Sequence, residues 1–184
     1  MVILAPIIEE YIFRKQFIDR MNVYGGGLAV VTSALMFGLF HGNLSQLFYA
    51  FALGLVFGYI YLKTGRLRYC VGLHMLINFL GSVLAPTLLN GIDFAALDEA
   101  ELADPAAWTA VSTQLLPFIV YVLGMIGLAL AGLVLFCVKV RDVSFSAAEL
   151  ELPKGAKLKT VCLNAGMILL FISWMASILL MFAV

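Results

Sequence analysis

Charge is scarce in this chain. Eleven basic and eleven acidic residues among 184 make it 12% charged, against 64% hydrophobic, where a water-soluble domain averages about 25% and 45–50%. With a mean hydropathy of +1.07, there is too little polar surface to coat a soluble globule, so the surrounding solvent is lipid. The basic and acidic residues cancel, and with no net positive charge nothing points to a nucleic-acid partner. Cysteine is sparse too. Cys70, Cys137 and Cys162 are odd in number, lie in apolar runs and form no CxxC pair, which argues against a disulfide framework and against zinc or redox motifs and leaves free, buried thiols. No basic stretch followed by a cleavage site opens the chain, so no removable signal peptide is expected. HExxH, internal repeats and low-complexity tracts are absent.

What remains is long apolar runs. A spanning helix needs about 20 apolar residues at 1.5 Å each. Gly26 to His41, Leu44 to Leu62, Leu67 to Leu89, Thr113 to Val138 and Val161 to Val184 meet or approach that length. Ahead of them, Met1 to about Met21 starts apolar and then carries Glu9, Glu10, Arg14, Lys15, Asp19 and Arg20. The pattern predicts an all-α, polytopic transmembrane bundle: five spanning helices plus an N-terminal helix that runs into a basic collar. Turns are expected at Tyr24–Gly27, at Gly42-Asn43 with Ser45 as N-cap, and at Thr64-Gly65. The reading gives one membrane domain over 1–184, divided into a motif-bearing core (1–89), a polar loop (90–112, with Pro105 in it) and a C-terminal helical pair (113–184) with a polar loop at 139–160. Arg14, Lys15 and Arg20, then Lys63, Arg66 and Arg68, then Lys139, Arg141, Lys154, Lys157 and Lys159 fall on alternate connections. Asp93, Asp98, Glu99, Glu101 and Asp104 share a loop with no Lys or Arg. By the positive-inside rule the basic connections face the cytoplasm.

Ionisable groups inside apolar helices are costly and usually face the bundle interior or a wet cavity. Here they are Glu9, Glu10, Arg14, His41 and His74, the last two being the chain's only histidines, and the buried amide of Asn78 joins them. Glu10 and Arg14 are four residues apart and share a face as a potential ion pair. Glu9 is rotated by about 100° and points elsewhere. His74 and Asn78 share a face, as do Phe37 and His41. Each has a structural explanation: a neutralised ion pair, a histidine capping a helix end, an interhelical hydrogen bond. Taken together they demand several independent costly placements in three helices, which favours a joint role.

The sequences Glu9-Glu10-Tyr11-Ile12-Phe13-Arg14 (EExxxR), Phe37-Gly38-Leu39-Phe40-His41 (FxxxH) and His74-Met75-Leu76-Ile77-Asn78 (HxxxN) occur in this order. They resemble the three motifs of the CPBP family, which comprises CAAX prenyl endopeptidases of the Ras-converting type and bacterial Abi or bacteriocin-immunity proteins. The resemblance covers about Ala5 to Leu80. It implies a glutamate-dependent intramembrane endopeptidase without a cofactor, in a bacterial-type cytoplasmic membrane with its site toward the cytoplasmic leaflet. Glu9 would be the base that activates water, with His41 assisting. Glu10 would pair with Arg14 and position the helix, and His74 and Asn78 would stabilise the oxyanion. The implied partners are the lipid bilayer and a membrane-associated protein or peptide substrate, such as a prenylated C-terminal tail. Family members usually carry several helices before the first motif, whereas eight residues precede Glu9 here, as in a short or truncated member.

The chemistry suits the residues. Peptide hydrolysis needs a base for water and donors aimed at the developing alkoxide, and imidazole and amide groups one turn apart can both donate to one oxygen. Two other readings stay open: a zinc site built from the histidines and glutamates, and a non-enzymatic scaffold, immunity factor or proton-linked carrier. Depth is a puzzle, because by helical rise His41 lies roughly 22 Å from the start of its run and His74 roughly 10 Å from the start of its own. Convergence requires a lower start, a tilt, or a non-spanning collar around Tyr24–Gly27. Glu9, His41, His74 and Asn78 are expected to line one polar cavity, within about 10 Å of each other. Gly54 and Gly58 form GxxxG, a candidate close helix contact. Gly124, Gly127 and Gly132 are read as packing positions, and Lys154, Lys157 and Lys159 as a solvated loop able to meet anionic headgroups.

Overall fold

The computed structural model describes residues 1–93, 105–153 and 155–183; Asp98, Glu99, Glu101, Asp104 and Lys154 lie outside them, as do the side chains of Lys157 and Cys162. Among the described residues the regular structure is helical throughout, as the apolar runs predict. In chain order α1 is Leu4–Glu10, α2 Gly26–Phe40, α3 Leu44–Thr64, α4 Leu67–Phe79, α5 Ala85–Asn90, α6 Pro105–Lys139, α7 Ala156–Cys162 and α8 Ala165–Ala183. The helix axis of α1 continues as a π-helix over Tyr11–Ile18, and that of α4 as a second one over Leu80–Leu84. Such wide turns are rare and cluster at functional positions.

Three helical stretches are long and apolar enough to cross a bilayer: Leu44–Thr64, Leu67–Asn90 and Val111–Asp142. Gly26–Phe40 and Ala165–Leu180 are apolar but shorter. The outward faces carry large apolar side chains such as Leu128, Leu135, Leu169 and Leu180, the inverse of a soluble surface. The chain is an integral membrane protein.

Compact packing divides it into two units: Ile3–His74 with Phe145–Val184, and Met75–Ser144, the boundary falling inside α4. In the first unit α2 and α3 lie in close contact along a line of glycines. A Cβ on Gly54 would come within 2.8 Å of the Ala34 backbone, and one on Gly58 within 3.1 Å of Val30, so the GxxxG pair does mark a close approach. Gly25 adopts φ 110°, a conformation that L side chains avoid, and ends the short 3-10 turn Asn22–Tyr24. That turn supplies the collar ahead of α2. A strap from the long connection lies on it. The Gly26 N–H donates to Ser146 O, the Glu149 and Leu150 N–H groups both donate to Val23 O, and Ser146 Oγ bonds Asn22 Oδ1 at 2.7 Å.

In the second unit α6 begins on Pro105, which the sequence reading placed within a loop; a proline in the first helical turn forfeits no intrahelical bond. Tyr121 donates to Leu80 O at 3.1 Å, at the start of the second wide turn.

Four expectations need correction. The N-cap of α3 is Asn43, not Ser45: its Oδ1 accepts the Gln46 N–H at 2.8 Å. The polar 139–160 connection is not loop throughout, because α7 starts at Ala156. Gly124, Gly127 and Gly132 have nothing within 4 Å of a would-be Cβ, so they are not packing positions among the described residues. Cys70 is buried, as expected, but Cys137 is exposed.

Candidate active site

The polar side chains of the first motif meet those of the other helices in the first unit. Arg14 and Glu10 are both fully buried, with Arg14 Nε 2.8 Å from Glu10 Oε2 and Nη2 3.4 Å from Oε1. The pair expected from the i, i+4 spacing is therefore present, set across the junction of α1 with the wide helix. Burying two charges is tolerable when each is hydrogen-bonded, and the remaining guanidinium group, Nη1, donates to Ser33 Oγ at 2.9 Å. The guanidinium also lies 4.9 Å from the centroid of the Phe37 ring and 5.9 Å from that of Phe57, with cation–π attraction to both.

His74, 3% exposed on α4, reaches the same carboxylate from across the bundle, with Nδ1 3.0 Å from Glu10 Oε1. A carboxylate paired with Arg14 only accepts, so Nδ1 carries the proton of this bond. The other ring nitrogen faces Glu9, Nε2 to Oε2 being 3.7 Å. That distance is an ion-pair separation, longer than a direct hydrogen bond. Glu9 does point away from Glu10, as the 100° rotation requires, yet both carboxylates converge on opposite edges of one imidazole. Glu9 is also the more accessible, with 18% of its side chain exposed. One guanidinium and one protonated imidazole would balance the two carboxylates.

His41 enters through Phe37. It caps α2, and its Nδ1 lies 2.8 Å from Phe37 O; since a carbonyl can only accept, Nδ1 holds the proton and Nε2 is left as an acceptor in the neutral ring. The Phe37 ring meets His41 edge-on at 4.9 Å between centroids and His74 at 5.6 Å. The two histidines thus sit on one aromatic ring, although their helix runs place them at different depths. Asn78 is half-buried one turn beyond His74 on α4 and belongs to the second unit.

The expected polar cavity has another outcome. A cavity of 120 Å³ in the first unit is lined by Phe17, Thr32, Met36, Asn164 and Met167 among others, and by neither histidine nor Glu9. Among the described residues no group of three or more His, Cys, Asp or Glu side chains is arranged to hold a metal ion. Glu10 and His74 already engage Arg14 and each other.

Two participants were not picked out from the sequence. Ser33 is wholly buried, donating to Phe13 O at 2.7 Å while accepting from Arg14. A lone serine inside an apolar run was the available signal. Phe57 packs on His74 at 5.8 Å between centroids, and nothing in the sequence distinguishes it from other core aromatics.

A helical membrane bundle that buries a Glu–Arg–His cluster falls in the class that keeps polar chemistry inside the bilayer. Residues 1–80 match the sequence model of the family described as type II CAAX prenyl endopeptidase, Rce1-like, the stretch that carries the three motifs. The chain is 35% identical over 95 residues to the membrane-embedded CAAX protease MroQ of Staphylococcus aureus (strain USA300), covering 48% of this chain and 38% of that protein. It is 32% identical over 80 residues to the putative membrane peptidase YdiL of Bacillus subtilis (strain 168), covering 41% and 32%. The match thus spans little more than a third of those relatives. No solved structure matches the chain.

Proposed function

We propose that this chain carries the catalytic centre of an intramembrane endopeptidase that hydrolyses a peptide bond of a membrane-associated protein with a glutamate-activated water. The observation that carries the reading is the placing of Glu9, accessible and not tied to Arg14, 3.7 Å from the ring nitrogen of a buried histidine held from behind by Glu10. The two adjacent carboxylates therefore divide the labour: Glu10 orients and Glu9 reacts.

In this mechanism Glu9 takes a proton from water as its oxygen adds to the scissile carbonyl, and His41 Nε2 accepts a hydrogen bond from the same water. His74 Nε2–H, with Asn78 one turn on, donates to the oxyanion, and each such donor is worth about 2.7–4 kcal/mol in comparable sites. Collapse of the intermediate breaks the C–N bond, and the proton held by Glu9 passes to the leaving amine. The names of the relatives, one a CAAX protease, make a prenylated C-terminal tail the first substrate to try. With the basic connections facing the cytoplasm, the site would open toward that leaflet.

The test is a quenched fluorescent peptide, farnesylated or unmodified, offered to the full chain reconstituted in liposomes. Glu9→Gln should abolish cleavage, and Glu9→Asp should cost about 100-fold, as a misplacement of about 1 Å does. Full activity in Glu9→Asp would favour a proton-relay role over hydrolysis, and activity that vanishes with chelator and returns with zinc would favour a metal site.

A further inference from the structure

The geometry points to Ser33 as a positioning residue that holds Arg14, and through it Glu10 and His74, in working alignment. The inference rests on the peptidase reading given above and adds to it a residue outside the three motifs.

The argument is one of hydrogen-bond direction. Phe13 O can only accept, so the Ser33 hydroxyl hydrogen goes to it at 2.7 Å. A guanidinium can only donate, so Arg14 Nη1 gives its hydrogen to the Ser33 oxygen at 2.9 Å. Arg14 Nε and Nη2 then both face Glu10, and Glu10 accepts from His74 Nδ1 at 3.0 Å. Every direction along this chain is forced, from a backbone carbonyl at one end to the imidazole at the other. It also fixes which nitrogen of His74 faces Glu9. The members Ser33, Arg14 and Glu10 are each 0% exposed, so no solvent molecule stands ready to replace the hydroxyl. Two rings, Phe37 and Phe57, attract the guanidinium through their faces, an attraction with little control over rotation. Ser33 supplies the directional contact that aims the planar fork at Glu10.

The experiment reads His74 directly. The chain has two histidines, so in a His41→Gln background the ring-¹⁵N NMR spectrum of the detergent-solubilised full chain reports one imidazole. Ser33→Ala should turn a single Nδ1–H tautomer into a mixture of both. With His41 intact, the same substitution should lower kcat on the quenched peptide by about 10–100-fold, the usual cost of losing an outer-shell partner, with KM unchanged. Arg14→Lys, whose point charge cannot bridge Glu10 and Ser33 together, should give the same tautomer mixture, and adding Ser33→Ala to it should change nothing further. An unmoved His74 spectrum in Ser33→Ala, or in Arg14→Lys should the first variant not fold, overturns the inference. If that occurs while Glu9→Gln is inactive, the peptidase reading stands without it. If Glu9→Gln cleaves like the wild type, the peptidase reading fails, and the tautomer result still decides whether Ser33 positions His74.

Discussion

Replacing Arg14 with methionine removes one partner of an ion pair whose members are both 0% exposed. Glu10 would lose its 2.8 Å contact and face the apolar interior with its charge poorly compensated, while Ser33 would lose a donor. Breaking a buried pair from one side costs about 3–5 kcal/mol. For a chain of this size, each kcal/mol lowers the melting temperature by about 2–4 °C, so Arg14→Met should melt about 6–20 °C below the wild type. The double variant Glu10→Gln/Arg14→Met removes the orphaned carboxylate as well and should recover most of that loss, since replacing both members of a buried pair is often neutral. The assay is far-UV circular dichroism on the detergent-solubilised protein during a thermal ramp. A single variant that melts with the wild type, or a double variant less stable than the single, would refute the claim that Arg14 is there to neutralise Glu10.

Other substitutions probe the scaffold. Gly54→Ala should destabilise by about 1–3 kcal/mol, the cost of overpacking, because its Cβ would sit 2.8 Å from the Ala34 backbone; Gly132→Ala, in open space, should be silent in the same melts. Gly26→Ala would place a Cβ 2.5 Å from Ser146 Oγ and 2.7 Å from Leu62; hydrogen exchange should then quicken at the Glu149 and Leu150 amides, which bond Val23. Asn43→Ala should cost about 0.5–2 kcal/mol through loss of the α3 cap, whereas Ser45→Ala should cost nothing measurable in urea or heat titrations.

The membrane class was legible because burial in lipid leaves its mark on nearly every residue, and a run such as Leu44 to Leu62 needs no partner to be recognised. The Glu10–Arg14 pair was legible from a spacing of four. What periodicity could not supply was the contact partner across the bundle. That both carboxylates reach His74, that Phe37 seats two imidazoles, and that Ser33 closes the chain behind Arg14 all depend on which helices are neighbours, and neighbours are set by packing at small residues such as Gly54 and Ala34. The N-cap was misplaced by two residues because Asn43 and Ser45 are both good caps by type, and the choice lies in the extended backbone of Asn43. The 139–160 stretch read as loop because its polar residues hide a helix that begins only at Ala156.

The wide helix over Tyr11–Ile18 has a consequence for how sequences of this kind can drift. Its hydrogen bonds reach five residues back instead of four, so it accommodates one more residue than an ordinary turn between the acidic pair and the basic end near Asp19. Loss of one residue there could be absorbed by relaxation to α geometry, at the expense of rotating whatever follows. No such slack exists between Glu9 and Glu10, whose two directions serve opposite edges of one ring. Alignments of distant kin should accordingly show single-residue gaps after the first motif and none inside its acidic pair.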